Sequence, residues 1–141
     1  MISKTKRLTV CLCALLLAAA TTQSLRADVD FLAVDGTAHL SSGDTVAVVT
    51  GSVLCTVGDT LGVSVALVQT RGQTSLVGSG NVDGIACLGV RQFFAVPVDI
   101  LIPLDGTFKK GPSSAVVSAF TSDGMGGFDN FTDSVAIHVS K

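Results

Sequence analysis

From Leu61 to Gln69 the chain alternates cleanly. Leu61, Val63, Val65 and Leu67 fall on one side of an extended backbone, and Gly62, Ser64 and Ala66 on the other. A period of two is what a strand with one buried face requires, because successive side chains point to opposite faces of a sheet. The same period recurs in three other places. Val49, Gly51, Val53 and Cys55 oppose Thr50, Ser52, Leu54 and Thr56; Val117 and Ala119 oppose Val116, Ser118 and Phe120; and Val135, Ile137 and Val139 oppose Ser134, Ala136, His138 and Ser140. No stretch has a helical period. The chain has no Glu and little Lys but is rich in Val, Thr, Ser and Gly, a composition that favours strands and turns over helices.

Turn signals divide the chain into short pieces. Asp28–Val34 is predicted as a first strand, closed by the Asp35-Gly36 turn, with a short extended piece over Thr37–Leu40. Thr45–Thr56 follows a polar break, and Gly51 within it is a place where a bulge would change the facing. Gly58-Asp59, Arg71-Gly72 and Asp83-Gly84 read as further turns, the last separating a weak strand around Ser75–Gly80 from Ile85–Leu88. Phe93–Ile102 is the richest apolar run. Pro97 lies inside it and has no N–H for a ladder, so the run is either an edge strand or two pieces around a bend. Phe108 is expected to tuck back onto the core edge, Ser113–Thr121 to form a strand, Ser122–Asn130 a loop, and Thr132–Ser140 the last strand. Seven to nine short strands at roughly 8–12-residue spacing, with turns between, predict an all-β fold. An immunoglobulin-like, Greek-key antiparallel β-sandwich is preferred, with a small β-barrel as the alternative.

The first 27 residues read as a secretory signal peptide. Lys4, Lys6 and Arg7 precede an apolar run from Leu8 to Ala20, and small and polar residues follow. That run is shorter than the about 20 residues of a membrane span. Cleavage after Ala27 leaves one domain over 28–141; Ser24 and Ala20 are alternative cleavage points, and an uncleaved N-terminal anchor is the competing reading. Without its leader the chain keeps five basic residues against eleven Asp, a net charge of −6 where the whole chain shows −2. A domain this acidic is a poor partner for nucleic acid or an anionic membrane. No membrane insertion is expected after cleavage.

Cys11 and Cys13 depart with the leader, which leaves Cys55 and Cys87 as the remaining pair. In an exported domain such a pair is most simply a disulfide; two free thiols, or half of a metal site, is the rival. It would close a loop of about 32 residues and stabilise by roughly 3–4 kcal/mol in the chain-entropy picture.

No catalytic signature stands out. His39 and His138 lie about a hundred residues apart, and no G-x-S-x-G elbow occurs. Asp123, Asp129, Asn130 and Asp133, interleaved with glycines, offer the hard oxygen ligands that Ca²⁺ takes. Their spacing does not match the twelve-residue calcium loop, and turn formation accounts for the same residues. No cofactor is implied. Among the rings, Phe94 and Phe128 are surface-binding candidates for a protein or carbohydrate partner at the cell envelope. Alternation turns one of Phe93 and Phe94 inward, and Phe128 and Phe131 could instead anchor the Gly-rich loop in the core.

Gly51–Cys55 (GSVLC), Leu67-Val68-Gln69, Cys87–Gly89 (CLG) and Lys110-Gly111-Pro112 leading to Val116–Ala119 together carry a resemblance over about Asp35–Thr121. The chain resembles a family of small secreted actinobacterial proteins of uncharacterised function. The resemblance implies a compact single-disulfide β-sandwich in an extracellular location, and it implies no activity. The expected function is therefore a secreted, non-catalytic binding or cell-surface structural domain. A small secreted hydrolase or metal-dependent enzyme is the alternative, and it would need a histidine among carboxylates in a concave site.

Overall fold

The computed structural model describes residues 28–41 and 43–141. The expected leader, with Cys11 and Cys13, lies outside the described residues. Seven strands follow one another: β1 (Val29–Leu40), β2 (Val46–Cys55), β3 (Thr60–Arg71), β4 (Thr74–Ala86), β5 (Gln92–Ile102), β6 (Gly111–Ser122) and β7 (Phe128–Ser140). In space they run β1-β2-β5-β4-β3-β6-β7 and close into a barrel. The closing β1–β7 pair is parallel and every other neighbouring pair antiparallel.

The protein is thus the small β-barrel of the alternative expectation and not the preferred sandwich. Alternation and strand count are the same for both architectures, so the seams decide. β1-β2-β5 and β4-β3-β6-β7 are joined on one side by Val77↔Ile102, Gly78↔Ile100 and Ser79↔Asp99. On the other side they are joined by Thr37↔His138, Ala38↔Val139 and His39↔Ser140. Both seams involve residues far apart in sequence, which local patterning does not report.

Seven strands lie at the low end of the predicted seven to nine, and they run longer than the turn signals predict, because two Asp-Gly pairs act as bulges. At Asp83-Gly84 the pairing moves from Val63↔Val82 to Leu61↔Ile85, so β4 carries the extra residue, and Gly84 takes a φ of 73°. A glycine in the left-handed region is what such a bulge needs. At Asp35-Gly36, β1 runs on through a register shift between Val34 and Ala38. Thr50 donates its hydroxyl hydrogen to the Asp35 carboxylate there. Gly51 bulges nothing, since β2 pairs with β5 in continuous register through it. It instead makes room: a Cβ at 51 would fall 2.5 Å from Phe94 Cζ and 2.3 Å from the Ala33 carbonyl oxygen.

β5 is one continuous strand, and Pro97 sits where its ladder with β4 has ended. The Pro97 carbonyl faces β4, only 1.9 Å from where a Cβ of Gly80 would lie. A residue's N–H and C=O point to the same edge of a strand, so the donor that Pro97 lacks belongs on this edge too. The β4–β5 seam therefore has a backbone ladder at one barrel end only; near the other, the Gln92 side chain of β5 donates to Ala86 O at 2.8 Å and accepts from Leu88 N at 3.0 Å. At the other end Cys55 and Cys87 form the expected disulfide, with Cα atoms 5.6 Å apart and both residues buried. It ties the end of β2 to the residue just beyond β4, past the start of β5, whose first residue Gln92 pairs with Val53. The Cys87 N–H donates to Asp59 O at 2.9 Å and the Gly58 N–H to Cys87 O at 3.2 Å, fastening β4 to the β2–β3 turn.

The interior is built from Val, Leu and Ala of the inward rows, including the alternating sets from β2, β3 and β6, with Phe94 and Phe108 as its buried rings. Phe108 closes the end opposite the disulfide, its N–H donating to Asp44 O at 2.8 Å. Buried Gln69 holds that closure: its Nε2 donates to Lys109 O at 2.7 Å and to Ser113 Oγ at 3.1 Å, and its Oε1 accepts from Lys109 N at 2.9 Å.

Replacing both cysteines by Ala is expected to lower stability by about 3 kcal/mol, read from urea unfolding. Amide exchange should then accelerate most over 80–86, the part of β4 without a ladder to β5. Gln69→Leu should cost about 1–3 kcal/mol and speed exchange at the Lys109 amide, because the Lys109 N–H and C=O lose their partner.

Candidate functional site

The outer face of β4, β3 and β6 is set by register. Asn81, Ser64 and Ser118 lie side by side on the three strands, and the row continues to Thr132 of β7, whose hydroxyl is 2.9 Å from that of Ser118. One step along each strand come Ser79, Ala66 and Val116. Side chains this small leave a groove of about 510 Å³ over the paired backbone, within the ~300–1,000 Å³ range of small-ligand sites. Hydroxyl and amide groups supply donors and acceptors, while Val116 and Phe120 add apolar wall.

Gly62 shapes one end of the groove. A Cβ at this position would fall 2.1 Å from Phe120 Cζ and 2.7 Å from Asp83 Oδ1, so the missing side chain lets a ring and a carboxyl group share one place. Both are held. Phe120 stacks on Phe128 with ring centroids 6.5 Å apart, and Asn81 Nδ2 donates to Asp83 Oδ2 at 2.7 Å. The bulge at Gly84 sets the direction of the Asp83 side chain; re-aiming a side chain is a recurrent use of bulges.

The surface-ring expectation needs correction at Phe94, which points into the barrel over Gly51 and is only 5 % exposed. Phe93 is the outward member of that pair, at 86 %. Phe128 is 66 % exposed and covers Phe120, and Phe131 is also exposed, so neither anchors the loop in the core. The loop itself is shorter than predicted, 123–127, because β6 and β7 remain paired to Ser122↔Phe128.

Two of the carboxylates of that region, Asp123 and Asp129, are engaged with backbone. Asp123 Oδ1 accepts from Met125 N at 2.7 Å and Gly127 N at 2.8 Å, and Asp129 Oδ2 accepts from Val29 N at 2.9 Å. Asn130 pairs across to Phe120 and Asp133 to Val117, on opposite faces of β7. Asp123, Asp129, Asn130 and Asp133 thus do not converge, and the described residues hold no group of three or more His, Cys, Asp or Glu that could bind a metal ion. The two histidines do come together. The parallel β1–β7 seam sets Thr37 beside His138 and His39 beside Ser140, so both imidazoles lie on one outer face, exposed, with His39 Nδ1 3.4 Å from Ser140 Oγ. Neither lines the groove.

Asn81, Asp83, Ser64, Ser118 and Phe120 were not legible as a site in the sequence. Their alternation marks them as outward-facing, but only the long-range β3–β6 pairing aligns them. A second hollow of about 400 Å³ lies at the Phe108 end, lined in part by Gln69, Arg71, Asp105 and Lys109. The disulfide end instead exposes Val57, Leu88 and Val90 on its loops, with Arg91 4.5 Å above the Phe31 ring nearby. No helix among the described residues is long and apolar enough to cross a membrane. No protein-family model matches this sequence, and comparison with curated proteins gives no match.

Proposed function

We propose that this is an exported, non-catalytic binding domain whose ligand site is the outer groove of β4, β3 and β6, and that its ligand is a saccharide of the cell envelope. The groove carries the reading: a concave face lined by Ser64, Ser79, Asn81 and Ser118, with the Phe120 ring at one end. Sugars present hydroxyl groups around an apolar ring face, and the groove supplies hydroxyl and amide partners beside an aromatic surface. A peptide adding a strand needs a free sheet edge, whereas the groove floor, β3, is paired on both sides, and the unladdered edge of β4 beyond Ser79 is bent by the Asp83-Gly84 bulge.

Export is supported by the disulfide, which is consistent with an oxidising, extracellular location. The leader-like N-terminus supports it from the sequence side. The hydrolase alternative needs a histidine with carboxylates in a concave site, and both histidines stand on the β1–β7 face outside the groove.

Filling the groove tests the assignment without touching the core. Ala66 is exposed on the groove floor, so Ala66→Arg should reduce binding to insoluble envelope polysaccharide at least about tenfold, or about 1.4 kcal/mol, in a co-sedimentation assay. Phe93→Ala, on the β5 surface away from the groove, should leave binding unchanged. Loss with Phe93→Ala and not with Ala66→Arg would transfer the site to the β1-β2-β5 face.

A further inference from the structure

Resting on the saccharide reading of the groove, we propose that its Phe120 end is a subsite for an amino-bearing sugar unit, held through its protonated amine. Asp83 is the ionisable residue of the groove lining, and its Oδ1 is turned toward the same small volume above Gly62 that the Phe120 ring edge enters. Asn81 holds the other carboxylate oxygen, which fixes the group's orientation before any ligand arrives. Phe128 backs one face of Phe120, so the ring is presented to the groove from the other side as a supported wall.

A carboxylate beside an aromatic ring is a site for an ammonium group. The carboxylate accepts a charge-assisted hydrogen bond from the ammonium group, and the ring, edge-on to that carboxylate, gives the neighbouring sugar carbons an apolar wall. The remaining groove chemistry, serine hydroxyls and the Asn81 amide, suits the hydroxyl groups of the same and adjoining sugar units. Charge selects in the same direction. With Asp83 in the groove and a net charge of −6 over 28–141, uronate, sulfate or phosphate substituents are repelled. The expected ligand is thus a glycan with free, non-acetylated amino groups.

The test compares an oligosaccharide of N-acetylglucosamine with its de-N-acetylated counterpart by titration calorimetry on the purified protein. The amino oligomer should bind about tenfold more tightly at low ionic strength, with the advantage shrinking as salt is raised. Asp83→Asn should abolish that advantage while retaining binding of the acetylated oligomer. Asp99→Asn, an exposed carboxylate on β5, should preserve it and so separate a local contact from general attraction to an acidic domain. Phe120→Leu, checked for folding by its thermal transition, should weaken both oligomers. Equal affinity for the two oligomers, or a preference that survives Asp83→Asn, overturns the amine subsite and leaves the saccharide groove standing. Binding of neither oligomer overturns the subsite, and unaltered polysaccharide binding by Ala66→Arg overturns the groove.

Discussion

The bond between Cys55 and Cys87 holds what the hydrogen-bonded ladder does not. β4 and β5 are joined by backbone pairing only from Val77 to Ser79, after which Pro97 presents no donor and the strands continue without a ladder. Left at that, the barrel would be hinged at one end and open at the other. Past the start of β5 the disulfide connects β2 with the end of β4, and the Gln92 side chain, which donates to Ala86 O and accepts from Leu88 N, together with the amide bonds between Cys87 and the Thr56–Asp59 turn, completes the closure. The opposite end is closed by side chains, with Phe108 as the plug and Gln69 binding both backbone groups of Lys109. A core of Val and Leu with two buried rings is thereby sealed by one covalent link and one amide network.

Within this frame, missing side chains matter as much as present ones. Gly51 gives the Phe94 ring its place inside the wall, and Gly80 lets β4 approach the Pro97 carbonyl. Gly62 does the equivalent on the outside, where Phe120 and Asp83 come together over bare backbone. The groove follows from this and from the run of Ser and Ala beside it. Its floor is backbone hydrogen-bonded on both sides of β3, so the surface offered to a ligand is preorganised.

Much of the fold was legible because burial leaves a local trace. The facing of Val49, Val53, Leu61, Val63, Val65, Leu67, Val117 and Val139 could be read from the period of two, and so could the inward turn of Cys55. The Cys55–Cys87 pairing followed once the leader was set aside. Turn chemistry misled: Asp-Gly suits a tight turn and a bulge equally, and at Asp83-Gly84 either would use the left-handed freedom of glycine, so only the partner strand decides between them. Barrel closure was illegible for a related reason, as both seams pair residues distant in sequence. The choice between Phe93 and Phe94 depended on register near the start of β5, one residue either way. The groove residues looked like ordinary polar faces until β3, β4 and β6 were placed side by side.

Both stretches of wall that run without a ladder are interrupted by an Asp-Gly bulge. On β4 it is Asp83-Gly84, beyond the end of pairing with β5; on β1 it is Asp35-Gly36, just before the parallel pairing with β7 begins at Thr37. An unpaired strand edge is a template on which another chain can add, and charge and bulges are the features that discourage such addition. For a chain with a mean hydropathy of +0.62, that protection bears directly on solubility at high concentration. The same two Asp-Gly pairs that bend the wall therefore guard its gaps against edge-to-edge polymerisation.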